Sequence, residues 1–300
     1  MNYNTDILDL IGNTPLVKLN RMTDMAVYAK AEFLNPGGSI KDRVAKHIIF
    51  SAEKSGELAP GQLIVEGTSG NTGIAVALVG AQKGHPVKIA MPENMSEERK
   101  KLIRALGAEL ILTSAEGGVN EAVRAASEIA EKEKGWRLGQ FDNPLNPETH
   151  FLFTGPEIWE QLENKVHAFV AGVGSGGTLG GVGKFLKERY PGVRMIAVEP
   201  KQTAALLRQE PGLHAIQGIG DGFVPKCLDT QIIDDLITVS DEDAIATTRE
   251  LAQKQGLLVG ISAGANVWAT IFIARALGPT HNVVTVLPDR VERYFSTALI

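Results

Sequence analysis

The chain has 300 residues, of which 44% are hydrophobic and 22% are charged, and its formal net charge is -5. This composition suits a folded protein of one or two domains, and the negative charge excludes the strongly basic surface that binds nucleic acid. No segment approaches the roughly 18 consecutive apolar residues of a membrane span, and the first residues, MNYNTDILDLIGNTPL, lack the pattern of a secretory signal. We therefore expect a cytoplasmic protein with neither a nucleic-acid nor a membrane partner.

Cysteine and histidine are too sparse for a metal site or a disulfide framework. The single cysteine, Cys227, excludes an internal disulfide bond, and no two of the six histidines stand within a helical turn of each other. We therefore expect no bound metal.

Short runs of β-branched residues alternate with amphipathic segments between residues 62 and 140. The predicted strands are LIVEG (63–67), PVKIAMP (86–92), AELILT (108–113) and WRLGQF (136–141), and the predicted helices are residues 72–84, 96–107 and 119–135. This alternation predicts a parallel sheet with helices on both faces.

A second series of the same kind follows. Its predicted strands are residues 166–174, 193–200, LLVGIS (257–262) and 281–289, and its predicted helices are residues 178–192, 241–256 and 265–278. Two doubly wound open sheets in an α/β protein are the simplest interpretation. The stretch FDNPLNPETH (141–150), rich in proline and asparagine, is the best candidate for the boundary between them.

Three turns that follow predicted strands are rich in glycine and hydroxyl residues, and open parallel sheets bind ligands at such strand ends. In VGSGGT, three glycines let backbone amides approach a phosphate, and two hydroxyls add donors; these residues are Gly174, Ser175, Gly176, Gly177 and Thr178. The turn GTSGNTG offers Thr68, Ser69, Asn71 and Thr72, which suit the carboxylate of an amino acid. In ISAGA, the hydroxyl of Ser262 can face a ring nitrogen without carrying charge.

The turn VGSGGT also fits a dinucleotide-binding pattern. Gly172, Gly174 and Gly177 have the required spacing, and Glu199 ends the next predicted strand. A nicotinamide-dependent oxidoreductase is therefore a remote alternative. It is disfavoured because such motifs usually begin the first βαβ unit, and because it explains neither Lys41 nor the other two polar turns.

Lys41 lies in NPGGSIKDR (35–43), where Ser39 and Asp42 predict a capping box that opens a helix. An ammonium in the first turn is disfavoured by the helix macrodipole. The position therefore suits a lysine whose pKa is lowered for Schiff-base chemistry.

A lysine, a phosphate-binding turn and an uncharged partner for a ring nitrogen are the fixtures of pyridoxal phosphate. The sequence resembles the cysteine synthase (O-acetylserine sulfhydrylase) and cystathionine β-synthase family, a group of fold type II, tryptophan synthase β-like pyridoxal phosphate enzymes. The resemblance rests on IGNTPLVKL, NPGGSIKDR, GTSGNTGIA, PENMSEERKKLIRALGAELILT, GSGGTLGG, TGPEIW and LPDRVERYFST. It implies a smaller, mobile domain (residues 1–11 and 35–147) that closes on the substrate and a larger domain (residues 12–34 and 148–300) that holds the cofactor phosphate.

The resemblance also implies a role for each matching residue. Lys41 would form the internal aldimine, Asn71 would bond the ring hydroxyl, Gly174 to Thr178 would hold the phosphate, and Ser262 would face the pyridine nitrogen. The substrate would contact Thr68, Ser69, Asn71, Thr72, Gln140 and Gly222. The implied reaction makes L-cysteine from O-acetyl-L-serine and sulfide through an α-aminoacrylate intermediate. Homodimers are implied as well, and some members bind the C-terminal tail of serine acetyltransferase, so a non-catalytic role in holding that tail is a second hypothesis.

Two motifs depart from the family pattern. Asp221, in GIGDGFVP (218–225), stands where alanine is usual, and we interpret it as a further catalytic residue that alters the acceptor. The acceptor would then be homocysteine, as in a cystathionine β-synthase, or water, as in a cysteine desulfhydrase that releases sulfide. Arg290 and Val291 replace serine and glycine; Arg290 either lies near the pyridine end of the cofactor or forms a surface pair with Glu292.

Overall fold

The computed structural model describes residues 4–209 and 212–300 of the chain. The strands are β1 (Leu16–Lys18), β2 (Val27–Lys30), β3 (Ile64–Gly67), β4 (Val87–Pro92), β5 (Glu109–Thr113), β6 (Trp136–Arg137), β7 (Ala168–Gly172), β8 (Arg194–Pro200), β9 (Asp235–Val239) and β10 (Val283–Val286). The α-helices are α1 (Lys41–Ser55), α2 (Asn71–Lys83), α3 (Glu97–Ala105), α4 (Gly118–Glu133), α5 (Leu145–Thr149), α6 (Gly155–Gln161), α7 (Gly177–Arg189), α8 (Asp241–Gln255) and α9 (Ile261–Leu277). A π-helical turn, His150–Thr154, joins α5 to α6.

The strands form two separate sheets, which confirms the predicted α/β fold class. One sheet has six strands in the order β1-β2-β10-β7-β8-β9, and the other has four in the order β5-β4-β3-β6. β1 pairs with β2 in antiparallel register, whereas the neighbouring pairs from β2 to β9 and within the smaller sheet are parallel. Within the described residues, no helix is both long and apolar enough to cross a membrane.

The six-stranded sheet is covered on both faces, as its apolar strands require. Along β7, Ala168 and Val170 pack into the core that contains α9, while Phe169 and Ala171 pack into the core that contains α7. Alternate residues of a strand point to opposite faces, so α7 and α9 lie on opposite sides of β7. The first turns of both helices therefore flank the carboxyl end of this strand.

The predicted strand at residues 257–262 is wrong. α8 ends at Gln255, its C-cap Gly256 has a φ of +69°, and α9 begins at Ile261, so only five residues connect the two helices. Within this connection, Val259 makes an isolated bridge to Arg290. The prediction failed because a short apolar run carries no signal that separates a strand from the beginning of a buried helix.

The prediction also missed three strands and lengthened a fourth. β1, β2 and β9 were not predicted, and of the segment 136–141 only Trp136–Arg137 pairs as a strand. β1 and β2 add the N-terminal residues to the six-stranded sheet. The stretch 141–150 lies along the chain between the last strand of the smaller sheet and β7. The division into a mobile and a larger domain stays a prediction.

Candidate active site

Lys41 is the first residue of α1, in the helical turn where the sequence placed it. Its Nζ donates a hydrogen bond to Ser175 Oγ at 3.0 Å. Burial lowers the pKa of this amine, and Asp221 is the foremost of the groups that oppose the shift. Removal from water, which destabilises the charged form, is therefore the main cause of the shift toward a neutral amine.

The capping box predicted at this helix start is wrong in form. Ser39 Oγ accepts the backbone N–H of Lys41 at 3.3 Å, but the helix begins after Ile40. Asp42 accepts the backbone N–H of Gly37 at 2.6 Å. The loop before the helix folds back over the first turn. Asp42 therefore binds the backbone of that loop at Gly37 and not the backbone of the cap residue.

Arg43 fixes α1 from the other side. It contacts Glu32 and Glu157 at 2.7 Å each, and Glu32 is fully buried. Removal of one partner of a buried ion pair is strongly destabilising, because it leaves the other charge without a partner. The first turn of α1, which carries Lys41, is therefore held at both ends.

The glycine-rich turn after β7 forms a cradle that has no room for side chains. A Cβ on Gly174 would lie 2.5 Å from the Gly218 carbonyl oxygen, and Gly176 has φ +78°. A Cβ on Gly177 would lie 1.9 Å from Asn146 Oδ1. The backbone N–H groups of this turn can thus approach an anion at the start of α7.

One cavity brings together most of the residues predicted to hold the cofactor. Gly177 is the exception, because it packs against Asn146. The lining residues from the prediction are Lys41, Asn71, Gly174, Ser175, Gly176, Thr178 and Ser262. Ser262 is 3% exposed and lies in the first turn of α9, so it reaches the cavity from a helix and not from the strand end that was predicted.

Asn71 begins α2 and faces the same cavity. Its Nδ2 donates to Asp289 Oδ2 at 2.7 Å. Among the described residues, its Oδ1 is buried without a hydrogen-bond partner. A buried acceptor without a partner is costly, and it therefore points to a group that binds here.

A second recess meets the first at Lys41. It contains all the side chains predicted to bind the substrate carboxylate, namely Thr68, Ser69, Asn71, Thr72 and Gln140, together with Asp221. Thr72 Oγ1 donates to Gln140 Oε1 at 2.6 Å, and Thr68 Oγ1 accepts the backbone N–H of Gly70 at 3.0 Å. The recess is therefore lined with hydroxyl and amide groups at the start of α2, where a carboxylate is favoured.

Asp221 and Gly222 lie on the outer side of this recess. Both line a wider cleft that also contains Ser69, His214 and Gln217. Burial raises the pKa of the Asp221 carboxyl group, and the charges of Lys41 and His214 oppose this. Asp221 is thus close enough to Lys41 for their charges to interact.

The comparisons with known proteins agree with this geometry. The family described as pyridoxal-phosphate dependent enzyme matches residues 7–289. The chain belongs to this family. It is 48% identical over 298 residues to a cysteine synthase of Staphylococcus aureus (strain Mu50 / ATCC 700699), covering 98% of this chain and 96% of that protein.

Two solved structures share the fold over nearly their whole length. The crystal structure of O-ureido-L-serine synthase has a TM-score of 0.96 and 44% identity, covering 99% of this chain and 95% of that one. The O-acetylserine dependent cystathionine β-synthase from Helicobacter pylori has a TM-score of 0.96 and 40% identity, with 100% and 99% coverage. The enzyme is therefore cysteine synthase-like and uses pyridoxal phosphate, and the dinucleotide alternative is not supported.

The cavity fits pyridoxal phosphate in three respects. The glycine cradle before α7 suits its phosphate, the Asn71 Oδ1 atom lacks a protein partner within the described chain, and the amine of the half-buried Lys41 lies between the two recesses. Glu199, considered for a ribose, instead accepts the backbone N–H of Leu206 at 3.1 Å.

Sequence reasoning missed three residues that shape the site. Asn146 Nδ2 donates to Ser175 Oγ at 3.0 Å, and His150 Nε2 lies 3.4 Å from Thr178 Oγ1. Asp289 accepts from Asn71. The signal for Asp289 was its place in LPDRVERY, whereas Asn146 and His150 reach the site through folding of the segment that was read as a boundary.

Arg290 does not form the surface pair with Glu292 that was considered. Its Nε donates to the Phe33 carbonyl at 2.8 Å and its Nη2 to the Asn35 carbonyl at 3.4 Å. The guanidinium therefore binds the backbone of the loop that precedes α1.

Proposed function

We propose that the enzyme makes L-cysteine from O-acetyl-L-serine and sulfide by replacement of the β-substituent. The observation that carries this proposal is the half-buried Lys41 side chain, whose amine lies where the anion cradle and the carboxylate recess meet. Pyridoxal phosphate, when bound, supplies the electron sink that allows loss of the α-proton and of a β-leaving group.

The residues of the first cavity would hold the cofactor. The cradle Gly174–Thr178 would bind its phosphate, Lys41 its aldehyde carbon and Asn71 its ring hydroxyl. Ser262 would face the pyridine nitrogen with a neutral hydroxyl, which cannot keep that nitrogen protonated as a carboxylate does. A weaker electron sink favours elimination over transamination or decarboxylation.

The residues of the second recess would orient the amino-acid substrate. Thr68 and Ser69 offer hydroxyl groups to its carboxylate. The Thr72 hydroxyl donates its one hydrogen to Gln140 Oε1, so Thr72 would orient the Gln140 amide nitrogen as a donor to the same carboxylate. Lys41, whose pKa is lowered by burial, would take the α-proton as a neutral amine and return it after sulfide has added.

Borohydride reduction of the loaded enzyme, followed by peptide mapping, tests the central assignment. Pyridoxyl modification is expected at Lys41, and Lys41→Ala should lose cysteine formation and the cofactor's visible absorbance together. Lys184→Ala, a change of another lysine that leaves the site intact, is the matched control. Modification at a different lysine, or none, would overturn the proposed roles.

Asp221 favours a second candidate function. Its carboxylate faces Lys41 on one side and the outer cleft with His214 on the other. It would there receive the amine of homocysteine, or orient water when cysteine is the donor and sulfide is released. Rates with sulfide, homocysteine and water for wild type, Asp221→Asn and Asp221→Ala decide between these acceptors; unchanged ratios would remove Asp221 from acceptor choice.

We also propose a homodimer. Leu10, Phe50, Leu152 and Phe153 are between 38% and 49% exposed, and Phe50 and Phe153 line the same surface cavity. Exposed apolar side chains that gather in this way suit a protein contact. Light scattering should give twice the chain mass, and Phe153→Asp should shift the enzyme toward a monomer. A monomeric wild type would contradict the proposal.

The carboxylate recess suits a peptide C-terminus as well as a substrate. We propose that it can bind the tail of serine acetyltransferase. A tail peptide should compete with the amino-acid donor, whereas the same peptide with an amidated C-terminus should not. Closure of residues 1–11 and 35–147 over the substrate and a cytoplasmic location also stay predictions, to be checked by X-ray scattering with and without donor and by cell fractionation.

A further inference from the structure

Asp289 lies just after β10, where two groups from different parts of the chain meet its carboxylate. The residue is fully buried, and its Oδ2 accepts from Asn71 Nδ2 at 2.7 Å and from the Tyr294 hydroxyl at 2.9 Å. Arg99 Nη2 lies 3.7 Å from the same oxygen. The Asp289 carboxylate thus joins the start of α2 to the C-terminal segment.

This contact fixes which edge of the Asn71 amide faces the cavity. An ionised carboxylate only accepts hydrogen bonds, whereas an amide has one accepting and one donating edge. The reversed amide would set two acceptors 2.7 Å apart. Asp289 therefore holds Nδ2 through one of its two hydrogens, which leaves the second hydrogen and Oδ1, a buried atom that lacks a partner in the described chain, for a group bound in the cavity.

The backbone of the same segment also holds the residues that precede Lys41. The Pro288 carbonyl accepts the N–H of Ile40 at 2.9 Å, and Ser39 and Asp289 form a bridge. A single segment therefore sets the positions of the amine and of the Asn71 amide relative to each other.

We propose that Asp289 is a positioning residue for the cofactor, acting through Asn71. The inference rests on the proposed contact of Asn71 with the ring hydroxyl. Without the Asp289 carboxylate, the Asn71 amide would lose this anchor and would no longer be fixed in orientation relative to the ring.

A double-mutant cycle on the full chain tests this. The dissociation constant of pyridoxal phosphate is measured for wild type, Asn71→Ala, Asp289→Ala and the double variant. Each single change should raise it about tenfold, as for loss of one hydrogen bond, and the double change should raise it no further. If the fold-changes of the two single variants multiply in the double variant, Asp289 does not act through Asn71 and the proposal is wrong, whereas the role of Asn71 stands. An unchanged constant for Asn71→Ala would overturn the role of Asn71 and the inference with it, while Lys41 labelling still tests the reaction separately.

Matched variants separate positioning from folding. Tyr294→Phe removes the other hydrogen bond to Oδ2, so it should lower stability to urea and leave cofactor affinity unchanged. Asp289→Asn keeps an acceptor oxygen and should retain affinity to within about twofold. If Asp289→Ala does not fold, Asn71→Asp sets two carboxylates together and should weaken cofactor binding, and adding Asp289→Asn should restore it. Failure of this rescue would overturn the proposal.

Discussion

Two glycines of α7 should respond in opposite directions to the same substitution. In Gly177→Ala, the new Cβ would lie 1.9 Å from Asn146 Oδ1, so the Asn146 side chain must move. That amide donates to the Gln140 carbonyl at 2.7 Å and to Ser175 Oγ at 3.0 Å. In Gly180→Ala, one helical turn later, the Cβ makes only ordinary contact, 3.4 Å from the Cys227 carbonyl oxygen.

The magnitudes follow from these contacts. Two lost hydrogen bonds cost about 1 kcal/mol each, and overpacking adds about 1–3 kcal/mol. Alanine is about 1 kcal/mol more favourable than glycine within a helix. Gly177→Ala should therefore destabilise the fold by about 2–4 kcal/mol, whereas Gly180→Ala should stabilise it by up to about 1 kcal/mol.

Urea unfolding at a fixed, saturating cofactor concentration measures both effects, and titration with pyridoxal phosphate adds a second readout. Gly177→Ala should also weaken cofactor binding, because Ser175 loses its contact with Asn146, and Gly180→Ala should bind as wild type. Equal stability of the two variants would refute the claim that close packing around Asn146 builds the phosphate cradle.

Three further predictions concern charge and the substrate recess. Burial raises the pKa of Glu157, but Arg43 holds it at about 2, below the ordinary 4.5. Wild type should therefore exceed Glu157→Gln in stability by about 2 kcal/mol above pH 4.5. Urea titrations should show this difference shrinking as the pH falls toward 2. Burial raises the pKa of Glu66 to about 7, so wild type should lose stability relative to Glu66→Gln as pH rises from about 4.5 to 7; parallel curves would contradict this. Thr72→Val should raise KM for the amino-acid donor about tenfold with a smaller change in kcat, whereas Thr248→Val, which removes a buried hydroxyl from α8, should change stability and leave KM unchanged.

Much of the site could be predicted from sequence because its chemistry is local. The turns after β3 and β7 each place glycine and hydroxyl residues within six or seven positions, at junctions where parallel sheets gather their ligands. Lys41 stood out for a similar reason, since its place in a first helical turn is visible in nine residues. The fold class followed from the alternation of short apolar runs and amphipathic segments.

The parts that could not be predicted depend on contacts between distant residues. The hydrogen bond from Asn71 to Asp289 spans 218 positions, and no periodicity or spacing links them. Ser262 was assigned to a strand end because the six residues LLVGIS fit a strand as well as a helix start. Ser262 nevertheless lies in the cavity, because the end of a strand and the start of α9 would both bring this segment to the same edge of the sheet.

The segment LPDRVERY shows why charge in a sequence is a poor guide to exposure. Its two arginines suggest a solvated turn, yet Arg293 is 2% exposed and donates to the Gly37 carbonyl, while Arg290 donates to the carbonyls of Phe33 and Asn35. Buried carbonyl oxygens of the loop before α1 need hydrogen-bond donors, and guanidinium groups supply several donors at once. Arginine at position 290, where the family usually has serine, therefore adds contacts to the backbone of the loop that precedes Lys41, and it stabilises that loop without entering the cavity.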